Sequence, residues 1–249
     1  MLFPLRLALQ FLTVVPITLP HPPAPADYTR STAWYPCVGL LIGVPGALLA
    51  LLADRHVPES LVALGVLILP VALTGALHLD GLADSCDGLF ALRSREDRLM
   101  ILKDSRIGTF GAIGLLMVLL SRYVALAALQ PETLISVALL APCIGRWSML
   151  LSLRSFPAAR PGSGLAGLFA HERGTWAEMA ATATVVVASG ALAGLGAAIA
   201  IVGSLVITLA IGRLAVARLG GVTGDIYGAT SECVELGVQV AWAVVTTWR

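Results

Sequence analysis

"TWAEMAATATVVVASGALAGLGAAIAIVGSLVITLAIGRLAV", Thr175 to Val216, runs for 42 residues with Glu178 and Arg213 as its only charges. A single helix of that length would extend about 63 Å at 1.5 Å per residue, roughly twice the thickness of a bilayer core. The stretch is therefore predicted to fold back near "GALAGLG", Gly190 to Gly196, as two membrane helices. The rest of the 249-residue chain has the same character: 57% of its residues are hydrophobic and 12% charged, where a soluble domain has about a quarter charged.

Working outward, apolar runs at Ala33–Ala53, Ser60–Leu79, Ile107–Leu129 and Thr133–Leu153 are each long enough to cross. A last apolar piece, Leu236 to Trp248, is predicted to begin before Glu235. The N-terminal "MLFPLRLALQFLTVVPITLP" has the apolar core of a signal peptide. Arg6, however, follows part of that core, and Pro4 and Pro16 suit a short helix that is tilted, interfacial or re-entrant. The prediction is one all-α domain over residues 1–249, a polytopic transmembrane bundle of about seven or eight helices including the short N-terminal one. Gly39 with Gly43, and Gly190 with Gly194, have the spacing that permits close helix contact.

Basic residues crowd alternate loops. Arg30, the group Arg93, Arg95, Arg98, Lys103 and Arg106, then Arg154, Arg160 and Arg173, and finally Arg213 and Arg218 share one side, opposed by Arg55 and Arg249. The excess marks that side as cytoplasmic, and Asp80, Asp84, Asp87, Asp104, Asp225, Glu232 and Glu235 lie there too. A net charge of +1 gives no electrostatic case for nucleic acid. Cys37, Cys86, Cys143 and Cys233 form no CxxC pair and read as small buried hydrophobes.

Asp80, Asp84 and Asp87 in "HLDGLADSCDGL" are spaced i, i+4 and i+7, within an arc of about 60° on a helix. Like charges so placed repel and lose solvation near hydrocarbon. A hard cation such as Mg²⁺, held by one or two carboxylates plus substrate phosphates, relieves both costs; a solvated acidic turn is the plainer reading. "LKDSRIGTFG" places Lys103, Asp104 and Arg106 where they can meet phosphate oxygens or add a metal ligand. The alternative is a helix start capped by Asp104 or Ser105. Gly108, Gly111 and Gly114 leave that helix a smooth face for packing or ligand approach. "GGVTGDIYGATSECVE", Gly220 to Glu235, reads as a flexible loop whose Asp225 and Glu232 can close on a phosphate and metal cluster, or as an ordinary connector. Arg122 and Arg146, inside apolar spans, either pair with acids or bind substrate phosphate. His78 is a base, a ligand or a structural helix-end residue.

Taken together, "LQFLTVVP" at Leu9–Pro16, "STAWYPCVGLLIG" at Ser31–Gly43, "HLDGLADSCDGL" at His78–Leu89, "LKDSRIGTFGAIGL" at Leu102–Leu115, Gly145 with Arg146, and "GGVTGDIYGATSE" at Gly220–Glu232 resemble the cobalamin synthase family, the adenosylcobinamide-GDP ribazoletransferases of the prokaryotic inner membrane. The resemblance implies transfer of the corrinoid phosphate from adenosylcobinamide-GDP to α-ribazole or its 5′-phosphate, with release of GMP and a need for Mg²⁺. It implies a multi-pass protein of the cytoplasmic membrane with its site facing the cytoplasm. Association with other corrinoid-pathway enzymes or with further copies of the chain is a further expectation. On this reading Asp80, Asp84, Asp87 and Asp104 are the metal ligands, with Asp225 the alternative to Asp104, for one or two Mg²⁺ ions. Asp225, Glu232 and Arg146 contact the activated substrate, Lys103 and Arg106 take phosphate oxygens, and Asp84 accepts the hydroxyl proton. Two rivals stand beside it. One is a membrane phosphotransferase acting on a nucleotide-activated lipid. The other is a secondary transporter, which would favour midplane charges and repeated halves.

Overall fold

The structure, a computed structural model, describes residues 2–53, 56–160, 175–192 and 194–247. Arg55, His171, Arg173, Trp248 and Arg249 lie outside the described residues. The chain is helical: α1 Leu2–Leu12, α2 Pro25–Ser31, α3 Tyr35–Leu52, α4 Glu59–Thr74, α5 Leu77–Phe90, α6 Arg95–Ile101, α7 Thr109–Ala127, α8 Pro131–Ser155, α9 Thr175–Leu192, α10 Gly194–Leu219 and α11 Gly224–Thr247. Among the described residues the sole β-type pairing is an isolated parallel bridge, Ala158 with Val222.

Four segments, Pro25–Leu52, Thr109–Ala127, Pro131–Ser155 and Gly196–Leu219, are long and apolar enough to cross a membrane, and the bent pair α4 and α5 would make a fifth. The long apolar stretch does divide as its length demands, into α9 and α10.

Helix α8 is the axis of the bundle, with every residue from Ala141 to Leu150 buried. Helix α3 lies against it through Gly39 and Gly43, where an added methyl would collide with the Pro142 and Ala138 carbonyl oxygens. Backbones pack this closely only where side chains are absent, so van der Waals contact replaces the hydrophobic drive that lipid cannot supply. Gly190 behaves differently: among the described residues an added methyl there would meet nothing within 4 Å outside its own helix backbone. Helix α7 forms an edge, burying only Gly111, Arg122, Ala125 and Leu126 and leaving an apolar face for lipid.

Two local departures from the sequence reading shape the site. The span expected over Ser60–Leu79 ends at Thr74, because Gly75 and Ala76 both take positive φ, 59° each. The chain then leaves the α4 direction by 89° to start α5. The second departure is the stretch read as a loop over Gly220–Glu235. Only its first residues are irregular; from Gly224 onward it is the first half of α11, packed inside the protein.

Candidate functional site

Helices α5 and α11 cross at backbone contact. An added methyl at Gly81 would fall 2.9 Å from the Asp225 carbonyl oxygen, and one at Gly228 would fall 3.2 Å from the His78 Cα. The two glycines thus set Asp80 and Asp84, on α5, beside Asp225 in the first turn of α11. Asp84 is within electrostatic range of Asp80, Asp225 and Asp87. Asp80 is exposed, Asp84 and Asp225 are partly buried, and among the described residues no arginine or lysine forms an ion pair with Asp80 or Asp84.

Asp87 turns the other way. Its carboxylate accepts N–H groups from Gly108 at 2.7 Å and Gly111 at 2.9 Å. The helix start expected at Asp104 or Ser105 is therefore at Gly108, capped by an aspartate from α5. The smooth face of Gly108, Gly111 and Gly114 packs on α5, meeting Asp87 and Cys86. Asp104 sits on the exposed loop before α7 and accepts from Arg106 through its backbone N–H and its guanidinium. Those bonds hold its carboxyl down to about 2. Lys103 and Arg106 are exposed.

Other bases of this end have structural partners. Arg98 donates to the carbonyls of Gly88, Leu89 and Arg93, closing the end of α5. Arg95 donates to Leu219 and Ala159.

Beneath the acids lies a buried polar core that the sequence reading left divided between alternatives. Arg122 on α7 pairs with Glu232 and, at 2.6 Å, with Glu235, and it reaches Gln239 at 3.3 Å. Arg146 on α8 pairs with Glu235 and faces His78 Nδ1 at 3.3 Å. Both arginines are thus spent on acids, the structural option of the two considered. Glu232 belongs to this cluster rather than to a loop near Asp225. Glu235, which the sequence reading counted only among the cytoplasmic-side acids, and Gln239, which it did not name, complete the cluster. The signal was present: positions 232, 235 and 239 share one helical face, and two arginines in apolar spans require buried acids.

A cavity of about 110 Å³ opens between α5, α8 and α11, lined by apolar Phe11, Leu77, Met149 and Leu150 and by Tyr35, His78, Asp80 and Asp225. The donor set suits a hard divalent ion only in part. Among the described residues Asp80 and Asp84 form no ion pair and Asp225, though within electrostatic range of Arg160, forms none either, yet no three acids, histidines or cysteines converge tightly enough to enclose a metal. Such a set fits Mg²⁺ that completes its shell with substrate phosphates and water.

Comparison with known proteins follows the same line. A family described as cobalamin-5-phosphate synthase matches residues 4–243. The chain is 39% identical over 248 residues to an adenosylcobinamide-GDP ribazoletransferase of Pseudomonas fluorescens, covering 98% of this chain and 100% of that one. A protein of the same name from Bradyrhizobium diazoefficiens is 38% identical over 96% of this chain and 93% of its own. Another, from Thermoanaerobacter pseudethanolicus, is 30% identical over 97% of each. No solved structure matches the chain significantly.

Proposed function

The chain belongs to the cobalamin-5-phosphate synthase family, and from that premise we propose that it joins adenosylcobinamide-GDP to α-ribazole or its 5′-phosphate with release of GMP. The observation that carries this reading is the near full-length match to relatives that bear that activity in their names. In support, unpaired carboxylates stand beside a cavity at the arginine-rich end of the bundle.

Attack by a ribazole hydroxyl oxygen forms a bond to the corrinoid-side phosphorus, and the bridging P–O bond breaks so that GMP leaves with the electron pair. Asp84 is assigned the hydroxyl proton. Asp80, Asp84 and Asp225 would hold Mg²⁺, which when bound neutralises charge on the bridging and leaving oxygens. Lys103 and Arg106, both exposed and the latter paired with Asp104, are assigned the remaining phosphate oxygens. The arginine excess supports a cytoplasmic position for this end, and on that ground the protein is assigned to the cytoplasmic membrane with its site facing inward.

The test is GMP release by the purified protein in liposomes, given adenosylcobinamide-GDP, α-ribazole and Mg²⁺. Release that stops on chelation and returns with Mg²⁺ is expected, and Asp80→Asn and Asp84→Asn should abolish it while the protein still inserts. Near-normal turnover in both variants removes the metal assignment. Consumption of a nucleotide-activated lipid in place of the corrinoid, or transport without covalent change, removes the function.

A further inference from the structure

His78 is 1% exposed and lines the cavity between α5, α8 and α11. Its Nδ1 faces the Arg146 guanidinium at 3.3 Å. A guanidinium only donates, so Nδ1 is the acceptor and the ring proton resides on Nε2. Arg146 is itself anchored on Glu235, which fixes the tautomer from behind. Among the described residues Nε2–H then has no acceptor, although a buried donor left unmet is costly. The Tyr35 hydroxyl, on the same cavity and close to Ser31, likewise makes no hydrogen bond of ordinary geometry.

The cavity therefore has mostly apolar and aromatic walls with carboxylates at Asp80 and Asp225, and His78, whose Nε2–H is buried without an acceptor among the described residues, forms part of its wall. At about 110 Å³ it is far too small for a corrin macrocycle. Guanine could offer its N1–H and N2–H only to Asp80 or Asp225, which the reading above gives to Mg²⁺, and the rest of its polar edge would then face Phe11, Met149 and Leu150. A fused apolar ring with two methyl groups and one in-plane nitrogen lone pair fits the apolar walls and the unmet donor, and leaves the carboxylates to the sugar attached to it. We propose that this cavity is the acceptor site, that it holds the dimethylbenzimidazole ring of α-ribazole, and that His78 Nε2–H donates to the free ring nitrogen. Arg146 is a positioning residue that acts through His78. The ribose is then directed toward Asp80 and Asp225, with Asp84 adjacent to both. This assignment rests on the ribazoletransferase reading above.

The test uses the unmodified protein in liposomes with two acceptors, α-ribazole and its indole counterpart, in which the free ring nitrogen is replaced by C–H and the methyls and ribose are kept. The indole acceptor should show kcat/KM lower by about tenfold or more, carried mainly by the acceptor KM, with the KM for adenosylcobinamide-GDP unchanged. His78→Ala should erase the difference between the acceptors, and His78→Gln, whose amide can donate, should restore part of it. Equal use of both acceptors by the unmodified protein overturns the proposal without any variant having to fold. An equal proportional loss with both acceptors in His78→Ala, leaving the preference intact, also overturns it. Failure of the function reading looks different: no GMP is released with either acceptor, and this assignment falls with it.

Discussion

The Asp87 carboxylate accepts the backbone N–H of Gly108 at 2.7 Å across 21 residues of chain. Together with the bond from Gly111 it satisfies two of the open donors at the start of α7 and places a negative charge at the positive end of that helix. One of three carboxylates with ligand-like spacing is therefore a cap supplied by a neighbouring helix, which separates its consequences from those of the other two.

Replacing Asp87 by Ala should destabilise the protein by about 1–2 kcal/mol, the usual loss for a helix cap, and lower its midpoint of thermal unfolding in detergent. Asp84→Asn should leave that midpoint nearly unchanged while activity is lost. A matching fall in both variants would mean that the two carboxylates share one role.

Glu235 serves both Arg122 and Arg146 inside the bundle. Glu235→Gln should cost about 3–5 kcal/mol, because two buried cations are left with a single carboxylate, Glu232. Adding Arg146→Met should recover part of the loss, and a double-mutant cycle measures the coupling. Simple additivity of the two changes would contradict the shared ion pair.

Gly39 and Gly43 touch the α8 backbone, whereas a methyl added at Gly190 would meet nothing within 4 Å among the described residues outside its own helix backbone. Alanine at Gly39 or Gly43 should lower stability by about 1–3 kcal/mol through overpacking. Alanine at Gly190 should be neutral or raise stability by about 0.5–1 kcal/mol through helix propensity. Circular-dichroism melts in one detergent compare all three.

Ala76 holds φ at 59°, in the corner that aims α5 at the site. Ala76→Val should destabilise by about 1–3 kcal/mol, since a β-branched residue is strained there, and should reduce turnover as α5 loses its direction. Ala76→Gly relieves the strain and should preserve activity. Unaltered turnover in the valine variant would show that the corner does not position the aspartates.

The long apolar stretch after Thr175 was legible as two helices because span length is set by bilayer thickness, independent of neighbours. The helical face carrying Asp80 and Asp84 was legible for a similar reason, since three-residue and four-residue spacings follow from backbone geometry alone. Gly220–Glu235 was misread as a loop. Its four glycines and three acids resemble a polar connector, yet packing on α5 and α8 and pairing with buried arginines overrides that composition.

Composition and periodicity by themselves determined a helical membrane protein with its acids and bases gathered at one end, because partitioning of side chains between water and hydrocarbon is a local cost. Which acids are free is not a local property. Asp84 and Asp87 differ only in what the tertiary structure brings to them: Asp225 for one and the α7 N-terminus for the other. Glu232 and Glu235 likewise acquired their partners only when α7, α8 and α11 came together. Pairing energies depend on distances between residues far apart in the chain, and those distances exist only after the helices have packed.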